Sequence, residues 1–272
     1  MKTWFITGSS RGFGREWTVA ALRRGDRVAA TARNTDTLKD LVDTYGEAIL
    51  TIPLDVTDRS AAFAAVARAH AHFGRLDVVV NNAGYGQGGM LEELSEAEFR
   101  AQLETNLFGA MWVTQAALPF LREQRSGHIL QVSSIGGITA FAGLGAYHAS
   151  KWALEGFSQT LAGEVKDFGI HVTIIEPGGF STDWSGPSMQ QSTPLPAYAG
   201  THQARDAFFA DHRPKQGDPT ASAKAVLKLV DADQPPLRVF FGDGPLEMAT
   251  ADYEQRLQTW RAWEWLSLEA QG

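Results

Sequence analysis

Seven short apolar runs recur along the chain with helix-like stretches between them: TWFIT (3–7), RVAATA (27–32), AILTIPL (48–54), LDVVVN (76–81), GHILQVSS (127–134), HVTIIEP (171–177) and LRVFF (237–241). They are continuous rather than alternating, the pattern of strands buried on both faces. The intervening segments carry helix punctuation. GREWTVAALRRG stops at Gly25, and DRSAAFAAVARAHAHFG starts at a capping residue, Asp58, and stops at Gly74. Strand and helix alternating in this way predict an α/β fold. The expected form is a single-domain, doubly wound parallel sheet of about seven strands with helices on both faces. A chain of 272 residues is long enough to bury such a core.

Composition narrows the function classes. The net charge is −7 and there is no long basic run, which disfavours a nucleic-acid partner. The absence of cysteine excludes disulfides and thiolate metal sites. No window reaches the roughly 18 unbroken apolar residues of a membrane span. The opening MKTWFITGSS lacks the long apolar stretch and cleavage site of a secretory signal. The expectation is a cytoplasmic protein without a membrane partner.

Two segments depart from the regular pattern. Residues 183–219, with DWSGPSMQQSTPLPAYAG, are rich in Ser, Pro, Gly and Gln. So long an insertion in a tight α/β domain reads as a substrate loop or as a plain connector. Residues 246–268 are a helix candidate with Tyr253, Leu257, Trp260 and Trp263 on one face. Its polar face carries Glu254, Glu264 and Glu269 against only Arg256 and Arg261, unlike a membrane-surface helix. Its tryptophans are expected to pack on the domain or on another subunit.

TGSSRGFGRE follows the first strand and opens the first helix, with glycines at Gly8, Gly12 and Gly14. It is neither a nucleoside-triphosphatase loop nor a strict G-x-G-x-x-G. It has the same physical parts: a flexible turn, room for close backbone approach, and a helix N-terminus whose N–H groups favour a pyrophosphate.

The spacing Gly-x3-Gly-x-Gly resembles the short-chain dehydrogenase/reductase family. Four further motifs fit that resemblance in order, from Thr3 to about Thr182: LDVTD (54–58), NNAG (81–84), YHASK (147–151) and PGGFST (177–182). Each sits at the carboxyl end of a strand or just beyond it, where open α/β sheets bind ligands. The resemblance implies a Rossmann-like fold and a nicotinamide cofactor. The cofactor would be held by Gly8, Ser10, Arg11, Gly12, Phe13 and Gly14 of the loop. Asp55 and Val56 would lie at the adenine, Asn82, Ala83 and Gly84 along the cofactor, and Pro177, Gly178 and Thr182 at the nicotinamide. It also implies a homo-oligomer, a dimer or tetramer. The upstream region and IEPGGFST are most similar to the branch with hydroxysteroid and retinol dehydrogenases and their bacterial relatives.

In the dinucleotide pattern an acidic residue holds the ribose about 20 residues beyond the loop. Ala32 occupies that place, 18 residues after Gly14, and Arg33 follows it. Without a carboxylate to repel a 2′-phosphate, the planar guanidinium of Arg33 can bind it, with Arg11 on the other side. NADP(H) is therefore expected over NAD(H).

Tyr147 and Lys151 are four apart, on one face of a helix. A free phenol ionises near pH ~10, and a neighbouring ammonium is expected to lower that value. Tyr147 could then exchange a proton with a substrate oxygen. Ser134, 13 residues before Tyr147, ends its strand where its hydroxyl can hold the same oxygen. Strand alternation turns its neighbour Ser133 the other way. In the family Lys151 would also bond the nicotinamide ribose, and Asn106 would hold a water linking Lys151 to solvent. His148 is expected to face away from Tyr147, and EELSEAE (92–98) reads as a solvated helix start. No metal site is recognised. Tyr85, Phe141, Leu144, Trp184 and Met189 are candidates for a substrate pocket, which suggests an apolar or cyclic small molecule.

These expectations amount to an NADP(H)-dependent oxidoreductase interconverting a carbonyl and a secondary alcohol. Two alternatives keep the fold. One is epimerisation or dehydration with the nicotinamide recycled, and the other is an NADP(H) sensor without chemistry.

Overall fold

The computed structural model describes residues 1–182, 188–211 and 216–272, and the side chains of 208–211 are not among those described. All seven apolar runs form strands of one sheet: β1 (Thr3–Ile6), β2 (Arg27–Ala32), β3 (Ile49–Pro53), β4 (Val78–Asn81), β6 (Gly127–Val132), β7 (Ile170–Pro177) and β9 (Arg238–Phe241). Their order is β3-β2-β1-β4-β6-β7-β9, and every pairing is parallel. The order reverses between β1 and β4, which opens a crevice at their carboxyl ends. Two very short strands, β5 (Gln87–Gly88) and β8 (Gln190–Gln191), pair with each other outside this sheet.

Helices cover both faces. Helix α1 (Gly12–Arg23), α2 (Lys39–Tyr45) and α8 (Pro219–Val230) pack on one face, where Trp4, Ile6, Trp17, Val28, Val226 and Phe241 share a core. Helix α3 (Arg59–Phe73), α5 (Gly109–Gln124) and α6 (Gly145–Val165) pack on the other, around Phe5, Ala29, Val79, Leu121, Ile129 and Leu161. Trp4 and Ile6 point one way and Phe5 the other, which is why β1 reads as unbroken apolar sequence. The caps act as expected. Asp58 accepts a hydrogen bond from the Ala61 N–H (2.9 Å), and Gly74 ends α3 with φ +79°.

The tail differs from expectation. It is two helices, α9 (Pro245–Ala262) and α10 (Glu264–Gln271), broken at Trp263. Arg256 lies over the rings of Trp152 and Tyr253 and donates to the Ile138 carbonyl (3.0 Å). Tyr253 and Leu257 edge a cavity of about 410 Å³ against β9. Trp260, Trp263 and Trp265 are 60%, 55% and 56% exposed, so they do not pack on their own domain. Among the described residues no helix is long and apolar enough to cross a membrane.

Candidate active site

The crevice is built from backbone outward. The Thr7 hydroxyl accepts hydrogen bonds from the N–H groups of Asn82 (2.9 Å) and Ala83 (3.0 Å), which stitches the ends of β1 and β4 together. Gly8 (φ +68°) and Gly12 (φ +55°) turn the loop between β1 and α1. A Cβ on Gly14 would overlap the Gly8 carbonyl and the Asn82 amide, so only glycine lets the helix start this close to the strand. A Cβ on Gly12 would touch nothing nearer than Thr182 at 3.8 Å. The helix begins without a side-chain cap, and its first N–H groups are left for a ligand. Bare backbone, a helix N-terminus and an open face over Gly12 fit a dinucleotide pyrophosphate.

Several expected cofactor residues also have structural partners. Asn82 donates to the carbonyls of Thr7 (2.9 Å) and Gly8 (3.1 Å), so its side chain braces the glycine loop. Phe13 stacks on Trp17 (5.3 Å between centroids) and meets Phe180 edge-on (4.9 Å), tying the loop to the P-G segment. Val56 is buried, and its side chain packs where a Cβ on Gly109 would go. Asp55 is exposed past β3 and accepts from the Thr57 N–H (3.0 Å) and hydroxyl (2.8 Å). Arg11 and Arg33 are both exposed at the carboxyl ends of neighbouring strands, beside the buried Ala32. Ala83 lies against Gly8 and Thr182 against Gly12, while Pro177 and Gly178 lie at the carboxyl end of β7.

Ser134, Tyr147 and Lys151 come together beyond β6. Ser134 accepts from the Gly136 N–H (3.0 Å) and is hydrogen-bonded to the Tyr147 phenol. Ser133 turns away, toward Glu155 of α6. The Lys151 ammonium lies 5.7 Å from the centre of the Tyr147 ring and donates to the Val132 carbonyl (2.8 Å). Both side chains are buried. The expected fall in the phenol's pKa is not found. Burial pushes Tyr147 up to about 12, outweighing the Ser134 bond, and pushes Lys151 down to about 8 against the charge of Glu155.

Asn106 lies in a π-helical turn (Glu104–Phe108) between α4 (Glu96–Leu103) and α5. Such turns are frequent at functional sites. Its amide is fully engaged. It accepts from the Tyr85 N–H (3.1 Å) and donates to the Tyr85 carbonyl (3.0 Å) and the Ser150 hydroxyl (3.1 Å). The side chain thus clamps the Gly84–Tyr85 turn to the helix of Tyr147.

The substrate side contains residues that sequence reasoning missed. His148 does not face away. Its ring centre is 6.0 Å from that of Tyr147, its Nε2 accepts from the Phe141 N–H (2.9 Å), and its Nδ1 is 2.8 Å from the Gly136 carbonyl. This pairing fixes the neutral tautomer with the proton on Nδ1, and burial lowers the ring's pKa in the same sense. Leu144 bridges to Gly89, and β5 pairs with β8 from the long insertion. Half-buried Tyr85, Phe141, Leu144 and Met189 border this rim, while Trp184 lies outside the described residues.

The insertion is anchored by the segment read as a solvated helix start. Glu93 has no solvent-exposed side-chain surface and accepts from His202 (2.8 Å) and the Leu195 N–H (2.9 Å). Burial opposes its ionisation. Hydrogen bonds from His202, Leu195 and Met90 outweigh that and hold its carboxyl down to about 2. Tyr198 donates to Glu92 (2.8 Å). Gly217 returns to the P-G segment, where its N–H donates to the Gly179 carbonyl and its own carbonyl accepts from Ser181 (2.9 Å each).

Residues 2–193 match the family model described as short chain dehydrogenase. The chain belongs to that family. It is 45% identical to an oxidoreductase, BOA17, of Botryotinia fuckeliana, across 98% of both chains. Among solved structures it is similar to a short-chain dehydrogenase from Streptomyces avermitilis, with TM-score 0.91 and 39% identity over 99% of this chain and 100% of that one. It is also similar to ElxO with NADP bound, with TM-score 0.76 and 27% identity over 90% and 99%. The protein is thus an oxidoreductase with the Rossmann-like fold of this family.

Proposed function

We propose that the protein is an NADP(H)-dependent reductase of apolar or cyclic carbonyl compounds, acting as a single catalytic domain. The observation that carries this reading is the buried convergence of Ser134, Tyr147 and Lys151 beside the crevice at the strand-order reversal. Ala32 followed by exposed Arg33, with Arg11 opposite, supports NADP(H), and so does the NADP bound to the related ElxO.

Bound NADPH supplies a hydride to the substrate carbon. Tyr147, held protonated by burial, donates its proton to the oxygen as negative charge develops there. The Ser134 hydroxyl holds that oxygen. Lys151 uses one of its three N–H donors on the Val132 carbonyl, which leaves two for the cofactor ribose and keeps positive charge beside the phenol. Asn106 acts as a positioning residue through the Tyr85 backbone rather than through a water on its side chain. The half-buried rim of Tyr85, Phe141, Leu144 and Met189 favours an apolar substrate. A cytoplasmic homo-oligomer fits this reading, with exposed Trp260 and Trp263 available to a second copy.

The test is loss of reduced-nicotinamide absorbance with a panel of apolar ketones, quinones and aldehydes, with NADPH and NADH in parallel. Carbonyl-dependent oxidation of NADPH in preference to NADH is expected. Faster oxidation of NADH would overturn the role given to Arg33. Binding of NADPH without oxidation by any member would count against the reductase reading and toward the recycled-nicotinamide or sensor alternatives.

A further inference from the structure

One turn beyond Lys151 on α6, Glu155 is 5% exposed, and it faces Glu176 of β7, which is 1% exposed. The two carboxyls meet at a single guanidinium. Arg238 Nε of β9 lies 3.1 Å from Glu155 and 3.3 Å from Glu176, while its other arm donates to Gln159 (2.9 Å). Two buried carboxylates converge on one guanidinium, and the other cation that feels Glu155, Lys151, is itself disfavoured as a charge by burial. Glu155 Oε1 and Ser133 Oγ face each other without a well-formed hydrogen bond, and Glu176 Oε1 has only the 3.3 Å contact to Arg238. Glycine at 137 makes the arrangement possible. A Cβ there would sit 2.7 Å from Ser133 Oγ and 3.1 Å from Glu155 Oε1. The other charged groups nearby are Lys151 on the same helix and Glu254 of α9, which lines the cavity that Glu176 also borders.

We propose that Glu155 and Glu176 form a carboxyl pair sharing one proton, and that this pair positions the helix of Tyr147 and Lys151 against the strand ending at Pro177. One proton converts two repelling acceptors into a hydrogen-bonded pair and removes the excess charge. The pair touches both sides of the site. Glu155 is on the catalytic helix, Glu176 immediately precedes Pro177 and Gly178, and the Ser133 N–H donates to the Ile175 carbonyl (2.7 Å) next to Ser134. Burial first, and the charge of Glu155 second, push Glu176 up to about 8, in keeping with a retained proton. The shared proton stands apart from the reductase reading, whereas the positioning role rests on it.

The test compares the full-length wild type with Glu155→Gln and Glu176→Gln. A carboxyl raised in the folded state contributes stability that is lost as pH rises toward its folded-state pKa. Between pH 6.5 and 8 the histidines and Lys151, lowered by burial, contribute slopes of opposite sign in all three proteins, so the pair is read from the difference between wild type and variant. In that window the wild-type unfolding constant should rise relative to that of either Gln variant, by at most about tenfold per pH unit and less as pH nears 8. Infrared spectra at pH 7 should show a protonated buried carboxyl in the wild type that either substitution abolishes. Equal slopes in all three proteins, or no such band in the wild type, would overturn the shared proton. For positioning, Glu176→Ala should lower kcat at least tenfold further than Glu176→Gln, with KM for NADPH little changed. If Glu176→Ala does not fold, Glu155→Ala against Glu155→Gln gives the same comparison. Equal kcat in the Ala and Gln variants would overturn the positioning role while leaving the reductase reading intact.

Discussion

At the scale of single residues, Ser134, Tyr147 and Lys151 are legible because their spacing is set by local geometry. A helix turn places Tyr147 beside Lys151, and a strand end delivers Ser134. What their environment does to them is not legible. Neighbouring charge alone predicts an acidic phenol, yet the phenol is buried and burial prevails. Asn82, Val56 and Phe13 follow the family motifs, and the bracing contacts their side chains make could not be read from those motifs. His148 and Glu93 were missed because their partners lie in other segments of the chain. In the proposed function the arginine at the second strand carries the cofactor preference. Replacing Arg33 by Ala should raise the Kd for NADPH by about ten- to a hundredfold, the range for losing a charge-assisted hydrogen bond, and leave NADH nearly unaffected. Isothermal titration of both cofactors measures this.

At the scale of elements, all seven strands were readable because burial on both faces leaves continuous apolar runs. The insertion was not, because its order comes from a two-residue parallel ladder and from side chains that reach back to Glu92 and Glu93. That anchor predicts a specific phenotype. Glu93→Gln weakens the hold on His202 and Leu195, so KM for the carbonyl substrate should rise several-fold while KM for NADPH stays within about twofold. Steady-state kinetics with each substrate varied would show it. The bracket made by His148 predicts a different split. His148→Phe removes the acceptor for the Phe141 N–H and leaves that donor unpaired at a cost of about 1–3 kcal/mol, so the melting temperature should fall. Calorimetry of the variant beside the wild type measures the drop.

At the scale of the whole molecule, the fold class followed from strand and helix alternation alone, and the crevice followed from where the motifs fall on the strands. The tail did not yield in the same way. Helical spacing of tryptophans reads as a packing face on the domain or on another subunit, and α9 and α10 leave those rings in solvent. Since residues 261–272 are exposed throughout, removing residues 263–272 should leave the melting temperature within a few degrees of the full chain. It should also remove a solvent-exposed component of the tryptophan fluorescence. A large loss of stability on truncation would mean that the tail is held by contacts beyond its own domain.

The central claim is net hydride transfer from NADPH to a carbonyl carbon with Tyr147 as proton donor. The most direct measurement follows deuterium from NADPH labelled at the transferable C4 position into the product of an apolar cyclic ketone, for the wild type and for Tyr147→Phe. The account predicts one deuterium on the carbinol carbon with the wild type. With Tyr147→Phe it predicts intact NADPH binding but turnover reduced by about a hundredfold or more, the scale of a lost general acid. Product formed without deuterium, or undiminished turnover by Tyr147→Phe, would contradict it.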